Sequence, residues 1–178
     1  MRSAPTLPPG SRQRGAVLVV ALMFLTVLTL IATIAVRTGM SEERMARATR
    51  DYNVAFQAAE AALRDAKADL TGYGTRDPVI IANVDFVANC VNGLCLMAAP
   101  GTTPVWEIDA NWNNAVAYAQ YTGVLPLPAT GPGAVSAPPR YLIEYVAAQG
   151  SQHLYRVTAR GLGPTPNMTV TLQEEVLR

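Results

Sequence analysis

The sequence predicts an α+β protein in which one long N-terminal helix packs on an antiparallel β-sheet. Residues 16–70 contain no proline and a single glycine, Gly39, so nothing in this stretch favours an early end to a helix. Residues 79–178 contain runs of β-branched and aromatic residues that are separated by Gly and Pro, a pattern typical of strands and loops. The length of 178 residues suits one such domain with an attached segment.

The predicted helix begins with an uncharged stretch, Ala16–Val36. A helix rises by about 1.5 Å per residue, so this stretch spans roughly 31 Å and is long enough to cross a bilayer. Arg2, Arg12 and Arg14 precede it and place the N-terminus on the cytoplasmic side by the positive-inside rule. We therefore predict a transmembrane segment over residues 16–36.

Three interpretations of this segment differ in what happens to it. A secretory signal peptide has an apolar run of about 7–15 residues, which is shorter than the run found here. A plain membrane anchor gives no reason for Gly15 at the boundary between the basic leader and the apolar helix. The third interpretation is a leader that is cleaved after Gly15, so that the apolar helix stays on the mature protein.

The second half of the helix is predicted to be amphipathic. Apolar residues recur at steps of three and four along Met40–Leu70 and predict one apolar face, while charged residues, Asp65 among them, are expected on the opposite surface. The apolar stripe contains Met45, Ala48, Tyr52, Ala55, Ala59, Leu63, Ala66 and Leu70. Gly72 and Gly74 end the pattern, which predicts a helix from Ala16 to about Leu70. Such a helix suits a subunit that packs its first half in lipid and then in a filament core.

The C-terminal part predicts a three-stranded antiparallel meander. The strands are Arg140–Ala148, His153–Gly161 and Asn167–Val176, because each has the composition or the alternation of a strand with one buried face. We expect their apolar face to pack on the Tyr52–Leu70 half of the helix. Val79–Val87 is a candidate for an earlier strand.

Cys90-Val-Asn-Gly-Leu-Cys95 is the sharpest local motif. Asn92-Gly93 favours a two-residue type I′ hairpin turn, which places the two cysteines opposite each other within disulfide range. In an oxidising compartment we expect a Cys90–Cys95 disulfide that fixes an exposed hairpin tip.

An aromatic and polar stretch between residues 106 and 121 allows two interpretations. Trp106, Trp112 and Tyr118 are candidates for a surface that contacts another subunit or a ligand, because aromatic residues are enriched at interfaces. Aromatic residues more often fill the core of a small α+β domain, and we favour that interpretation.

Composition argues against several classes of function. The net charge of +1 gives no reason to expect nucleic acid as a partner. Cys90, Cys95 and His153 are too few ligands for a structural zinc site, and no HExxH motif is present. No pattern of nucleophile, base and orienting residue stands out either. We predict no enzymatic activity, no metal and no cofactor.

Segments near both ends of the chain resemble a known family. The segments "RGAVLVVALMFLTVLTLIATIAVRTGMSEERMA" and "RDYNVAFQAAEAALRDA" look like the N-terminal region of PilX-type minor pilins of type IV pili. "RYLIEYV", "YRVTARGLG" and "VTLQEEV" are similar to the closing strands of that family. The resemblance implies a type IV pilin-like fold with a basic leader over 1–15, a long helix over 16–70 and a periplasmic globular domain over 71–178. It also implies cleavage between Gly15 and Ala16 by the prepilin peptidase, with methylation of the new amino group of Ala16.

The resemblance further implies partners and a location. The N-terminal helix would contact other minor pilins and the major pilin, a large tip adhesin is a further candidate partner, and the protein would pass from the inner membrane into an extracellular pilus. Most pilins carry a glutamate at the fifth mature position, thought to pair with the amine of a neighbouring subunit, whereas this chain has Val20 there. We hypothesise that the subunit enters at or near the start of the filament, in a tip-priming complex. An alternative is that this sub-family lacks the glutamate and uses neighbouring minor pilins for docking.

Two other functions remain alternatives. The first is a minor pseudopilin of type II secretion, although the large inserted domain with a metal site is not apparent here. The second is a membrane-anchored periplasmic binding or adhesion module unrelated to filaments.

Overall fold

The computed structural model describes residues 14–72, 74–76 and 86–178 of the chain. It contains two compact units, Met1–Ala46 and Arg47–Arg178. Helix α1 extends over Arg14–Leu70, so its end agrees with the predicted end of the helix. The first unit contributes helical residues that are all exposed wherever their side chains are described.

The second unit adds a mixed sheet of five strands to the end of α1. The strands are β1 (Leu94–Leu96), β2 (Val116–Ala117), β3 (Arg140–Gln149), β4 (Gln152–Leu162) and β5 (Thr169–Leu177). A 3₁₀ helix, Val105–Glu107, and a short helix α2, Asp109–Trp112, lie between β1 and β2.

The three long strands form the predicted antiparallel meander, β3-β4-β5. The sheet as a whole is mixed, because β1 pairs with β3 in parallel while β2 pairs with another part of β3 antiparallel. The chain enters β1 from the turn at Asn92-Gly93 and leaves it in the same direction as β3. Most of the candidate strand Val79–Val87 lies outside the described residues, and its last residue, Val87, forms an isolated parallel bridge with Cys95.

The inner face of the sheet packs on the last turns of α1. Its buried residues are Ala62, Ala66, Leu70, Phe86, Leu94, Val116, Tyr141, Ile143, Tyr155, Val157 and Ala159. The predicted apolar stripe is buried only from Ala55 onward, while Tyr52 and Met45 are exposed. The prediction extended the buried face too far because periodicity alone does not show where the sheet stops. The link between β4 and β5 meets α1 at Asp51, and the sheet covers the helix only beyond that point.

Candidate functional site

The N-terminal segment of α1 presents an apolar surface. In the part of the chain that the structure describes, this is the helix that is long and apolar enough to cross a membrane. Its exposed large side chains are Val17, Leu18, Val19, Val20, Leu22, Met23, Phe24, Leu25, Val27, Leu28, Leu30, Ile31, Ile34 and Val36. Side chains of this kind are stable in lipid or against other apolar helices.

The threonines of this segment satisfy themselves within the helix. Thr26, Thr29 and Thr33 each donate a hydrogen bond of 2.8 Å to the carbonyl oxygen three residues earlier. These hydroxyl groups therefore need no hydrogen-bond acceptor from the lipid or protein that surrounds the helix.

The residues expected to undergo processing lie at the start of α1. A Cβ built on Gly15 would meet no atom within 4 Å, so the position has free space around it. Ala16 and Val20 follow on the exposed helix. The surface that they present to a partner is therefore uncharged.

The second unit contains a seam where α1 and β4 approach each other unusually closely. A Cβ on Gly161 of β4 would lie 2.3 Å from the Ala55 oxygen and 2.3 Å from the Ala59 nitrogen. Only a glycine on the strand, opposite alanines on the helix, allows the two backbones to come this near. Gly163 repeats the arrangement, because its Cβ would lie 2.8 Å from the Asp51 oxygen. The segments "AFQAAEAAL" and "TARGLG" thus form the two sides of one packed seam.

A buried carboxylate, Asp69, ties α1 to two other parts of the unit directly and to a third through Arg76. The side chain of Arg76 donates to both carboxylate oxygens of Asp69, with Nε 2.9 Å from Oδ2, and the Tyr141 hydroxyl donates to Oδ2 at 2.8 Å. Arg76 also donates through Nη1 to the Asn92 oxygen at 2.5 Å. Burial, followed by the negative charge of Asp69, raises the pKa of Tyr141 and keeps its hydroxyl a donor.

A second buried carboxylate, Asp65, lies one helical turn before Asp69. Its Oδ2 accepts a hydrogen bond from the Ala119 nitrogen at 2.8 Å, and its Oδ1 accepts from the Thr122 hydroxyl. The prediction that Asp65 faces solvent was therefore wrong, since only 3% of the residue is exposed. Ala119 has a φ of 70°, a left-handed conformation that this hydrogen bond helps to hold.

Sequence reasoning missed these two anchors, although a signal existed. Ala58, Ala62, Asp65 and Asp69 follow steps of four, three and four, and all four are buried. A charged residue at a buried position of an amphipathic helix needs a hydrogen-bond or ion-pair partner, because burying an unpaired charge is costly. Apart from Arg76, the partners are distant in sequence, so only the folded chain identifies them.

The outer face of the sheet carries a module built around the disulfide. Cys90 and Cys95 are bonded with Cα atoms 4.2 Å apart, and both residues are fully buried. Asn92 and Gly93 have φ values of 51° and 72°, as a type I′ turn requires. Val91 and Asn92 at the tip of the turn are exposed, as expected, while the disulfide itself packs in a cluster with Val105, Trp112 and Leu142.

The three candidate interface residues are not equivalent. Trp112 is only 6% exposed, and its Nε1 donates to the Trp106 oxygen at 2.8 Å, so it belongs to the core. Trp106 and Tyr118 are half-buried and keep part of their surface open. The guanidinium of Arg160 lies 4.0 Å from the centre of the Trp112 ring, and burial lowers the pKa of Arg160.

The described residues contain no group of three His, Cys, Asp or Glu side chains that could hold a metal ion. Cys90 and Cys95 are bonded to each other. His153 lies beside the rings of Tyr145 and Tyr155. The arrangement of these groups is that of a packed core.

Comparison with known proteins gives two matches to family models. A model described as PilX N-terminal matches residues 14–64, and a model described as Type IV pilus assembly protein PilX C-term matches residues 91–178. Searches of curated proteins and of solved structures found no match. The first matched segment contains the helix side of the seam, with Ala55 and Ala59, and the second contains its strand side, with Gly161.

Proposed function

Because this chain belongs to the PilX family of type IV pilus assembly proteins, we propose that it is a minor pilin that primes pilus assembly within a tip complex. The observation that carries the proposal is the apolar, fully exposed start of α1, joined in one chain to a folded domain that matches the same family. In the membrane this surface is surrounded by lipid, and in a filament by the helices of other subunits. Transfer of the helix from the membrane to the filament has a low energetic cost, because the helix keeps apolar neighbours in both places.

The proposal includes a maturation step and a location. Residues 1–15 are a leader that the prepilin peptidase removes, the N-terminus lies in the cytoplasm, and the globular domain lies in the periplasm until the subunit enters the pilus. The partners are other minor pilins, the major pilin and a large tip adhesin. The N-terminal helix is the element that contacts the other pilins.

Mass spectrometry of the mature protein from the native host tests the maturation step. We expect the chain to begin at Ala16 with a methylated amino group. Gly15→Val should retain residues 1–15, because a branched side chain obstructs the close approach of a protease to the backbone. A wild-type protein that starts at Met1, or near Val36, would contradict pilin-type processing.

Val20 offers a test of the position in the filament. A glutamate in an apolar environment is costly unless it has a partner, and the amine of a neighbouring subunit is such a partner. Val20→Glu should allow the subunit to enter along the filament shaft, as immunogold labelling of pili would show. Val19→Glu introduces the same charge one residue away and should not have this effect. If Val20→Glu leaves initiation and incorporation unchanged, position 20 does not restrict the subunit to the tip.

A further inference from the structure

The outer face of the sheet contains a cavity. It has a volume of about 240 Å³ and lies between β3, β4 and the segment that follows β1. Its lining residues are Met97, Ala98, Ala99, Pro100, Gly101, Thr102, Pro104, Glu144 and Arg156. A cavity of this size holds several water-sized groups.

Glu144 is the polar group in this wall that lacks a partner. Only 1% of the residue is exposed, and no donor in the described part of the chain reaches its Oε2. Burial raises the pKa of Glu144, and the nearby charge of Arg156 partly offsets that shift. A buried carboxylate oxygen without a donor is expensive, so an occupant that supplies one is strongly favoured.

Arg156, the cationic residue in the wall of the cavity, already forms an ion pair with Glu175 on β5. Glu144 on β3, Arg156 on β4 and Glu175 on β5 lie in register across the sheet. The Arg156 guanidinium donates to Glu175 Oε1 at 3.2 Å. When both glutamates are ionised, two negative charges face one positive charge, and the row has a net charge of one negative unit. A cationic donor fits this balance, and an anion does not.

We propose that this cavity binds a primary ammonium group, with Glu144 as its acceptor. An ammonium carries three N–H donors, so it can satisfy Oε2 and still donate to backbone oxygens of the lining segment. A lysine side chain of a neighbouring protein and a free small amine have the same chemistry and are the two sources of the ligand. The site does not rest on the proposed function, because an amine can occupy it without a pilus.

Thermal unfolding of the full chain in a neutral detergent at pH 7.5 tests binding, with ethylammonium chloride as the probe. The chain has two tryptophans, Trp106 and Trp112, and both lie in the disulfide module, so their emission reports on this part of the fold. We expect ethylammonium at saturating concentration to raise the unfolding midpoint by about 2 °C or more, because a ligand that binds only the folded state stabilises it. Ethanol at the same concentration lacks the charge and should not.

Two matched variants locate the effect. Glu144→Gln keeps the shape of the side chain and removes the charge, and it should weaken ethylammonium binding by about tenfold or more. Glu107→Gln removes the same charge from an exposed position that does not line the cavity and should leave binding unchanged. Circular dichroism verifies that both variants fold. An absent shift, an equal shift in Glu144→Gln, or a shift produced by CaCl₂ but not by ethylammonium would overturn the proposal.

Carbodiimide coupling in intact cells distinguishes the two sources. The reagent activates the carboxylate, an amine nitrogen then forms an amide with the carboxyl carbon, and the reagent leaves as a urea. A peptide in which Glu144 is joined to a lysine of another chain assigns the ligand to a protein. Glu144 joined only to a small amine assigns it to a free metabolite.

Discussion

The two faces of the sheet treat buried charge in opposite ways. On the inner face, Asp65 and Asp69 of α1 are buried, and both oxygens of each carboxylate accept hydrogen bonds. On the outer face, Glu144 is equally buried, but its Oε2 has no donor within the described residues. The inner carboxylates therefore hold the fold together, whereas the outer one has an unsatisfied acceptor, which is the basis of the proposed ammonium site.

The faces also differ in how closely their layers approach. On the inner face, glycine and alanine bring the backbone of β4 directly against that of α1, at Gly161, Ala55 and Ala59. The outer face is covered by a short disulfide-bonded loop and a 3₁₀ turn, and this looser cover leaves a cavity. This comparison predicts that changes on the inner face damage stability most.

Gly161→Ala should have the largest effect. The added methyl group would lie 2.3 Å from backbone atoms of Ala55 and Ala59, so the helix or the strand must move. We expect the free energy of unfolding to fall by at least about 4 kcal/mol, in the range that only severe core disruption reaches. Chemical denaturation of the full chain in detergent, followed by circular dichroism, measures this loss.

Gly39→Ala is the matched control for Gly161→Ala. This glycine lies within α1 and has no atom near its missing Cβ, so alanine should be neutral or should stabilise the helix by up to about 1 kcal/mol. Equal effects of the two substitutions would show that the seam is not the constraint that the distances indicate.

Asp69→Asn should have the next largest effect. The substitution removes the charge that compensates Arg76, which is itself buried, and it also weakens the hydrogen bond from Tyr141. A buried ion pair that loses one partner typically costs about 3 kcal/mol or more. Denaturant titration measures this cost. Glu60→Gln is the control, because its exposed pair with Arg64 is worth about 0.5 kcal/mol or less. A loss no greater than that of the control would mean that Asp69 is not an anchor.

The double substitution of Cys90 and Cys95 by alanine should have an intermediate effect. The disulfide closes a very short loop, for which the chain-entropy model gives about 2 kcal/mol. Trp112 packs in the same cluster, so its emission should shift as its surroundings loosen. The helical signal in circular dichroism should remain, because α1 lies on the other face of the sheet. Loss of that helical signal would show that the outer module also supports the inner face.

The sequence predicted the parts of the fold that repeat regularly. The helix end at Leu70, the β3-β4-β5 meander and the Asn92-Gly93 turn follow from periodicity and from the conformational freedom of glycine. Their signals lie within a few residues of each other. Local reasoning is sufficient for features of this kind.

Local reasoning failed where the partner is distant in sequence. β1 pairs in parallel with a strand that begins about 45 residues later, and no local pattern specifies that choice. The partners of Asp69 are Arg76, which is close in sequence, and Tyr141, which is not. In the sequence, Glu144 reads as an ordinary residue of an alternating strand. That its Oε2 lacks a hydrogen-bond donor is seen only in the folded chain, where residues 97–104 lie over β3.

Glu144→Gln should produce the smallest effect, and one that depends on pH. Burial raises the pKa of Glu144 in the folded state above its unfolded value of about 4.3, so the folded chain holds the proton more tightly. The wild-type free energy of unfolding should therefore fall as pH rises from the unfolded pKa through the folded pKa. Gln does not titrate, so the free energy of unfolding of Glu144→Gln should rise relative to that of the wild type over that pH interval. The free energy of unfolding of Glu107→Gln should change with pH as the wild-type value does. Unfolding free energies measured from pH 4 to pH 8 test this, and parallel curves for Glu144→Gln and wild type would mean that Glu144 is ionised at no cost and already has a donor.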